Sequence, residues 1–138
     1  MSQRDYLHDP VRQALVKDGW TITHDPYTIA FGNRRGYIDL GAERQFAAEK
    51  QGRRIAVEVK SFLGESVMVD LEQAVGQYLL YRSWMARLDE KRELFLAVSS
   101  RVYRDVFEDP SAQVLVADYK IQLVSVAVDR QEVDRWFP

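Results

Sequence analysis

Asp39 and the later run Glu58-Val59-Lys60 are the residues best suited to chemistry in this sequence. Two carboxylates converging from neighbouring strands can hold a Mg²⁺ or Mn²⁺ that keeps several waters, and the backbone carbonyl of Val59 can supply another oxygen. A lysine beside such a site can orient or help deprotonate a water and offset charge on a phosphate. These are the parts needed for metal-assisted phosphodiester hydrolysis. The acid-x-Lys triplet alone is unspecific: with 21 acidic residues and five lysines among 138 residues, about 0.75 such triplets arise by chance, and three occur, beginning at Glu58, Asp89 and Asp118. Glu58 stands apart because it ends an apolar-alternating strand with an acidic residue upstream, whereas Asp89 lies in a charged Asp-Glu-Lys-Arg stretch. The structural alternative is a solvated salt-bridge cluster.

Composition narrows the chemistry. There is no cysteine, which excludes disulfides, thiolate metal sites and cysteine nucleophiles, and only His8 and His24 are present, which excludes a three-histidine zinc site. A bound metal must therefore take mainly oxygen ligands, as Mg²⁺ and Mn²⁺ do. A net charge of −2 cannot drive binding to a polyanion through the whole-molecule field, so any nucleic-acid site must be local. Charge is uneven along the chain: residues 34–60 carry seven basic and four acidic side chains, residues 70–138 nine and twelve. The sequence has no run of about 18 apolar residues and no signal-peptide pattern, so the expectation is a soluble cytoplasmic protein with no membrane contact. Nothing resembles a linker or a repeat, and residues 1–138 are read as one domain.

The elements that must position these residues follow from periodicity. Val11, Ala14, Leu15 and Asp18 have helical spacing, and Gly19 is a plausible stop. The start is open between Asp9-Pro10 and one turn earlier, at Tyr6 and Leu7. Trp20 to Thr23 is a short strand ending at the Asp25-Pro26 turn, and Tyr27 to Phe31 is a possible second. Residues 37–40, 43–50 and 53–60, separated by Gly41 and Gln51-Gly52, predict a long interrupted hairpin. Ile55, Val57 and Val59 share one face of its last strand; Ala56, Glu58 and Lys60 share the other. A turn at Gln51-Gly52 places Gln45 opposite Glu58 and Glu43 opposite Lys60, so Asp39 reaches the site only if the strand bends near Gly41. Otherwise Glu43 is the rival ligand.

Ser66 is a candidate N-cap for the longest helix, whose stripe is Leu71, Ala74, Val75, Tyr78 and Leu79. Residues 93–99 read as a buried strand, 101–107 and 111–119 as helices, 122–128 as a strand and 132–137 as a helical turn. The pattern predicts an α/β (α+β) domain, one mixed sheet flanked by helices. Gln73, Gln77 and Tyr81 stack at i+4 on the long helix. If that face covers the hairpin, Gln77 can hold the carboxylate or a water and Tyr81 can contact a phosphate; a polar stripe at a helix interface is the alternative. Arg34, Arg35, Arg53 and Arg54 are candidates for nucleic-acid backbone contacts or a solvated charged hairpin. His8 reads better as structural than as catalytic.

Several of these stretches together resemble one family. Residues 17–23 (Lys-Asp-Gly-Trp-Thr-Ile-Thr), Asp25-Pro26-Tyr27, residues 38–43 (Ile-Asp-Leu-Gly-Ala-Glu), residues 57–62 (Val-Glu-Val-Lys-Ser-Phe) and residues 71–78 (Leu-Glu-Gln-Ala-Val-Gly-Gln-Tyr) look like the XisH family of element-excision controlling factors. The resemblance covers nearly the whole chain. It implies a restriction-endonuclease-like fold of the PD-(D/E)XK superfamily and a part in excising a DNA element, with an XisI-like protein partner and a separate recombinase. Carried onto this chain, Asp39 takes the first acid, Glu58 and Lys60 the acid-x-Lys pair, and Gln77 with Tyr81 the Gln-x-x-x-Tyr motif of some nuclease branches. Ile38 stands where the superfamily pattern has proline, and the long separation of Asp39 from Glu58 keeps Glu43 in play. The expected cofactor is Mg²⁺ or Mn²⁺. The readings to separate are a metal-dependent deoxyribonuclease, a non-catalytic factor that binds DNA or a partner, and a subunit that needs its partner for stability. Self-association also remains open.

Overall fold

The computed structural model describes residues 3–28, 30–32, 34–35, 45–88 and 91–137. Among these, a mixed six-stranded sheet is flanked by four helices in an α/β fold. Helix α1 (Gln3–Lys17) precedes β1 (Thr21–His24), and a two-stranded ribbon follows, β2 (Ala30–Phe31) with β3 (Arg34–Arg35). Strands β4 (Gln45–Lys50) and β5 (Arg53–Val59) form a hairpin, followed by α2 (Val67–Leu88) and β6 (Arg92–Ser99). A short α3 (Ser100–Val102) runs into a π-helical turn (Tyr103–Phe107), then come α4 (Pro110–Tyr119), β7 (Leu123–Ala127) and β8 (Glu132–Phe137). The spatial order is β1-β4-β5-β6-β7-β8, with β5-β6 and β6-β7 parallel and the other pairs antiparallel.

Two cores follow from the strict alternation of β5 and β6. Ala56, Leu94, Leu96 and Val98 face α2 and α4, packing with Leu71, Ala74, Tyr78, Phe107 and Ala112. Ile55, Val57, Val59, Phe95 and Ala97 face α1, packing with Leu7, Val11, Ala14 and Leu15. Because both faces are covered, β5 is buried continuously from Ile55 to Val59.

Local chemistry explains most boundaries. Gly19, at φ +97°, closes α1: its N–H donates to the Val16 carbonyl and that of Trp20 to the Leu15 carbonyl. Helix α1 starts at Gln3, ahead of both expected starts, so Pro10 lies inside it. The β4–β5 turn uses positive φ at both Gln51 and Gly52, the geometry of the tight hairpin turn that matches strand twist. Ser66 caps α2, its hydroxyl accepting from the Val69 N–H at 3.2 Å.

Two expectations need correction. Residues 132–137 form strand β8, not a helical turn. The apolar residues Val133, Trp136 and Phe137 have helical spacing, but antiparallel pairing with β7 prevails, and Trp136 packs 5.7 Å from Trp20 and 5.0 Å from Phe95. The helix expected over 101–107 changes winding after Val102; Glu108 N–H reaches back five residues to the Tyr103 carbonyl.

Candidate functional site

Glu58 lies on the central strand β5, 1% exposed, paired in register with Gln45 on one side and Leu96 on the other. The Gln45 pairing is the one that a turn at Gln51-Gly52 requires. Leu96 belongs to the α2-facing core, so the Glu58 carboxylate points to the same side. Lys60 follows on that face, half-buried, and its N–H extends the parallel ladder by donating to the Ala97 carbonyl at 3.0 Å. The loop behind it is held in place: Phe62 has φ +57° and its ring packs edge-on against Phe107 at 5.6 Å, while Gly64 N–H donates to Asp70 at 2.9 Å.

Helix α2 covers this face. Tyr78 and Tyr81 are buried, Gln77 is half-buried and Gln73 is exposed. The Gln-x-x-x-Tyr spacing thus runs from the helix flank into the core, where the Tyr81 ring lies 6.1 Å from Trp84. Tyr78 does work that a hydrophobic stripe does not reveal. Its hydroxyl donates to the Leu94 carbonyl at 2.9 Å and accepts from the Gln122 N–H at 3.0 Å, bridging the starts of β6 and β7. Burial pushes the Tyr78 phenol above its ordinary pKa; the Gln122 hydrogen bond and Arg82 oppose the shift, and the nearby Glu58 charge adds to it. The signal in the sequence was the phenol itself, since a buried Tyr hydroxyl must find partners.

Asp39 and Glu43 lie outside the described residues, as do Gly41 and the strand expected at 37–40. The described residues contain no group of three or more His, Asp or Glu able to hold a metal. What they contribute is Glu58 with Lys60 next along the same face. A buried oxygen donor at the end of a central strand fits a hard divalent ion, and needs at least one further carboxylate.

The other candidates are placed elsewhere. His8, buried on α1, meets Asp25 with Nε2 3.1 Å from Oδ1, and Arg12 Nε reaches the same carboxylate at 3.1 Å. Arg53, at the hairpin tip, is five residues from Glu58, about 16 Å along the strand. It pairs with Glu93 at 2.9 Å and lies over the Trp20 ring. Lys50 also lies over Trp20 and donates to the Asp18 carbonyl. This end of the sheet borders a cleft of about 520 Å³ that also touches Gln122 and Trp136. The basic tip and the acid-x-Lys pair thus occupy opposite ends of β5.

The model of the XisH protein family matches residues 1–134. The chain belongs to the XisH family. It is similar to the crystal structure of an XisH family protein from Nostoc punctiforme PCC 73102, with 34% identity, a TM-score of 0.88, and coverage of 96% of this chain and 99% of that one. It is equally similar to an fdxN element excision controlling factor protein from Anabaena variabilis, with 33% identity, a TM-score of 0.88, and coverage of 97% and 99%. No curated protein matches the sequence. Among the described residues, no helix is long and apolar enough to cross a membrane.

Proposed function

We propose that this XisH family member is a factor in excision of a DNA element and carries a Mg²⁺-dependent nuclease site at Glu58 and Lys60. The observation that carries this reading is Glu58 itself: a carboxylate 1% exposed at the centre of the sheet, with a half-buried lysine next on its face. Burying a carboxylate is costly, and buried ionisable groups concentrate at functional sites. The likeness to a protein described as an fdxN element excision controlling factor supplies the context of DNA rearrangement. In this reading Asp39 is the second metal ligand, with Glu43 its rival, and the Val59 carbonyl adds an oxygen. A divalent ion there supplies Lewis acidity at a phosphodiester. Lys60 neutralises phosphate charge and holds the attacking water, and Gln77 steadies the carboxylate. The fold is then a variant of the restriction-endonuclease-like PD-(D/E)XK architecture.

The test is cleavage of supercoiled and branched DNA in Mg²⁺ or Mn²⁺. Glu58→Gln and Lys60→Met should each lower the rate by about 10²-fold or more while the fold is retained. Full activity in either variant refutes the site.

The acidic net charge favours a second reading, a control factor that binds DNA or a protein partner without cutting. It predicts no cleavage by wild type, and DNA and partner binding unchanged by Glu58→Gln. An XisI-like protein and a separate recombinase are the partners to test in either case.

A further inference from the structure

Helix α2 buries one side against the sheet, and among the described residues its opposite face is exposed. Leu71, Ala74, Tyr78, Tyr81 and Met85 are buried against the sheet. Opposite them Val69, Gln73, Gly76, Leu80 and Ser83 are exposed and share one outward face about four turns long, bordered by Glu72 near one end and continued by Arg87 at the other. Val69 and Leu80 leave 47% and 45% of their surface in water, and Met68 beside them 56%. A solvated helix face is ordinarily polar; this one carries two exposed branched apolar side chains with a glycine between them.

Gly76 sits in the middle of that stripe. Glycine in a helix interior is destabilising relative to alanine. Among the described residues nothing lies within 4 Å of where its Cβ would stand, so none of them requires glycine there. A missing side chain on an outward face does permit close approach of another element.

We propose that this face binds the same face of a second copy, the two α2 helices running antiparallel and crossing between Gly76 and Leu80. Leu80 of each copy then fills the gap over Gly76 of the other, side chain into groove. Charge selects this pairing. Glu72 and Arg87, both exposed, flank the stripe towards its two ends. Antiparallel packing brings Glu72 of one copy within one helical turn of Arg87 of the other, twice about the two-fold axis. Parallel packing would set like charges side by side. A nucleic-acid backbone does not suit a face whose two charges cancel. The dimer stands independently of the nuclease reading; if both hold, the two-fold axis relates two cutting sites, one available to each strand of a duplex.

Sedimentation equilibrium of the full chain, without metal or DNA, from micromolar to millimolar concentration, tests the proposal. Wild type should show a monomer–dimer equilibrium. Leu80→Glu should raise its dissociation constant about tenfold or more. Glu72→Arg and Arg87→Glu should each weaken the dimer, and the double variant should restore it. Circular dichroism checks folding, and should Leu80→Glu not fold, the charge-reversal set decides. A wild type that stays monomeric throughout overturns the proposal, as does a dimer indifferent to Leu80→Glu, or one that the double charge reversal fails to restore.

Discussion

Tyr78 donates its hydroxyl proton to the carbonyl of Leu94 at 2.9 Å, and so completes the sheet from above. The same oxygen accepts the Gln122 N–H, so one side chain on α2 satisfies two backbone groups at the mouth of the β6–β7 ladder. The bond fixes the rotation of α2 over β5 and β6, and with it the relation of Gln77 and Tyr81 to Glu58.

Tyr78→Phe should therefore destabilise the fold although the ring is kept. The buried Leu94 carbonyl and the part-buried Gln122 N–H both lose this partner, and a buried group left unsatisfied costs about 1–3 kcal/mol. Urea denaturation of the two proteins measures the difference. A loss below about 0.5 kcal/mol would mean that the bridge is dispensable.

Glu93 provides a pH-dependent contribution. Desolvation works to raise its carboxyl, but hydrogen bonds from Arg53 and Gln122 and the Arg53 charge outweigh it and leave the pKa below its ordinary 4.5. A depressed carboxyl stabilises the fold above the unfolded-state value, and the contribution fades as pH falls through the folded value. Glu93→Gln should then be less stable than wild type at pH 7, by no more than about 1 kcal/mol because the pair is largely solvated. The gap should narrow steadily below pH 4.5. Denaturation curves at several pH values would show it; a gap that widens in acid contradicts the assignment.

Gly19 closes α1 in the left-handed region, and an added Cβ would come within 3.2 Å of the Lys50 Cε. Gly19→Ala should cost about 1–2 kcal/mol from backbone conformation alone. Thermal unfolding reads the loss. An unchanged midpoint would show that the helix end relaxes freely.

The fold was legible where local chemistry and tertiary pairing agree. Gln51-Gly52 is a turn signal that sets hairpin register, and so the sequence already implied Gln45 opposite Glu58. Alternation through residues 55–60 divided the two faces correctly, and Ser66 and Gly19 marked helix ends by their own capping chemistry. It failed where tertiary contacts decide. Val133, Trp136 and Phe137 carry helical spacing, yet Trp136 is claimed by Trp20 and Phe95 and the segment pairs as a strand. The change of winding at Tyr103 accompanies a stack of rings, Phe107 on Tyr103 and Tyr103 on Phe137, that no local pattern announces. Within the candidate site, Glu58 and Lys60 were readable from strand parity. The role of Tyr78 was hidden because its ring reads as hydrophobic while its hydroxyl acts.

The most direct test of the metal site is titration calorimetry of Mn²⁺ into wild type and into Glu58→Gln, with folding of both checked by circular dichroism. It requires no knowledge of the DNA substrate. Wild type should bind Mn²⁺, and the variant should lose about tenfold or more in affinity. Equal affinity in the two proteins, or no binding by wild type, would contradict the metal site.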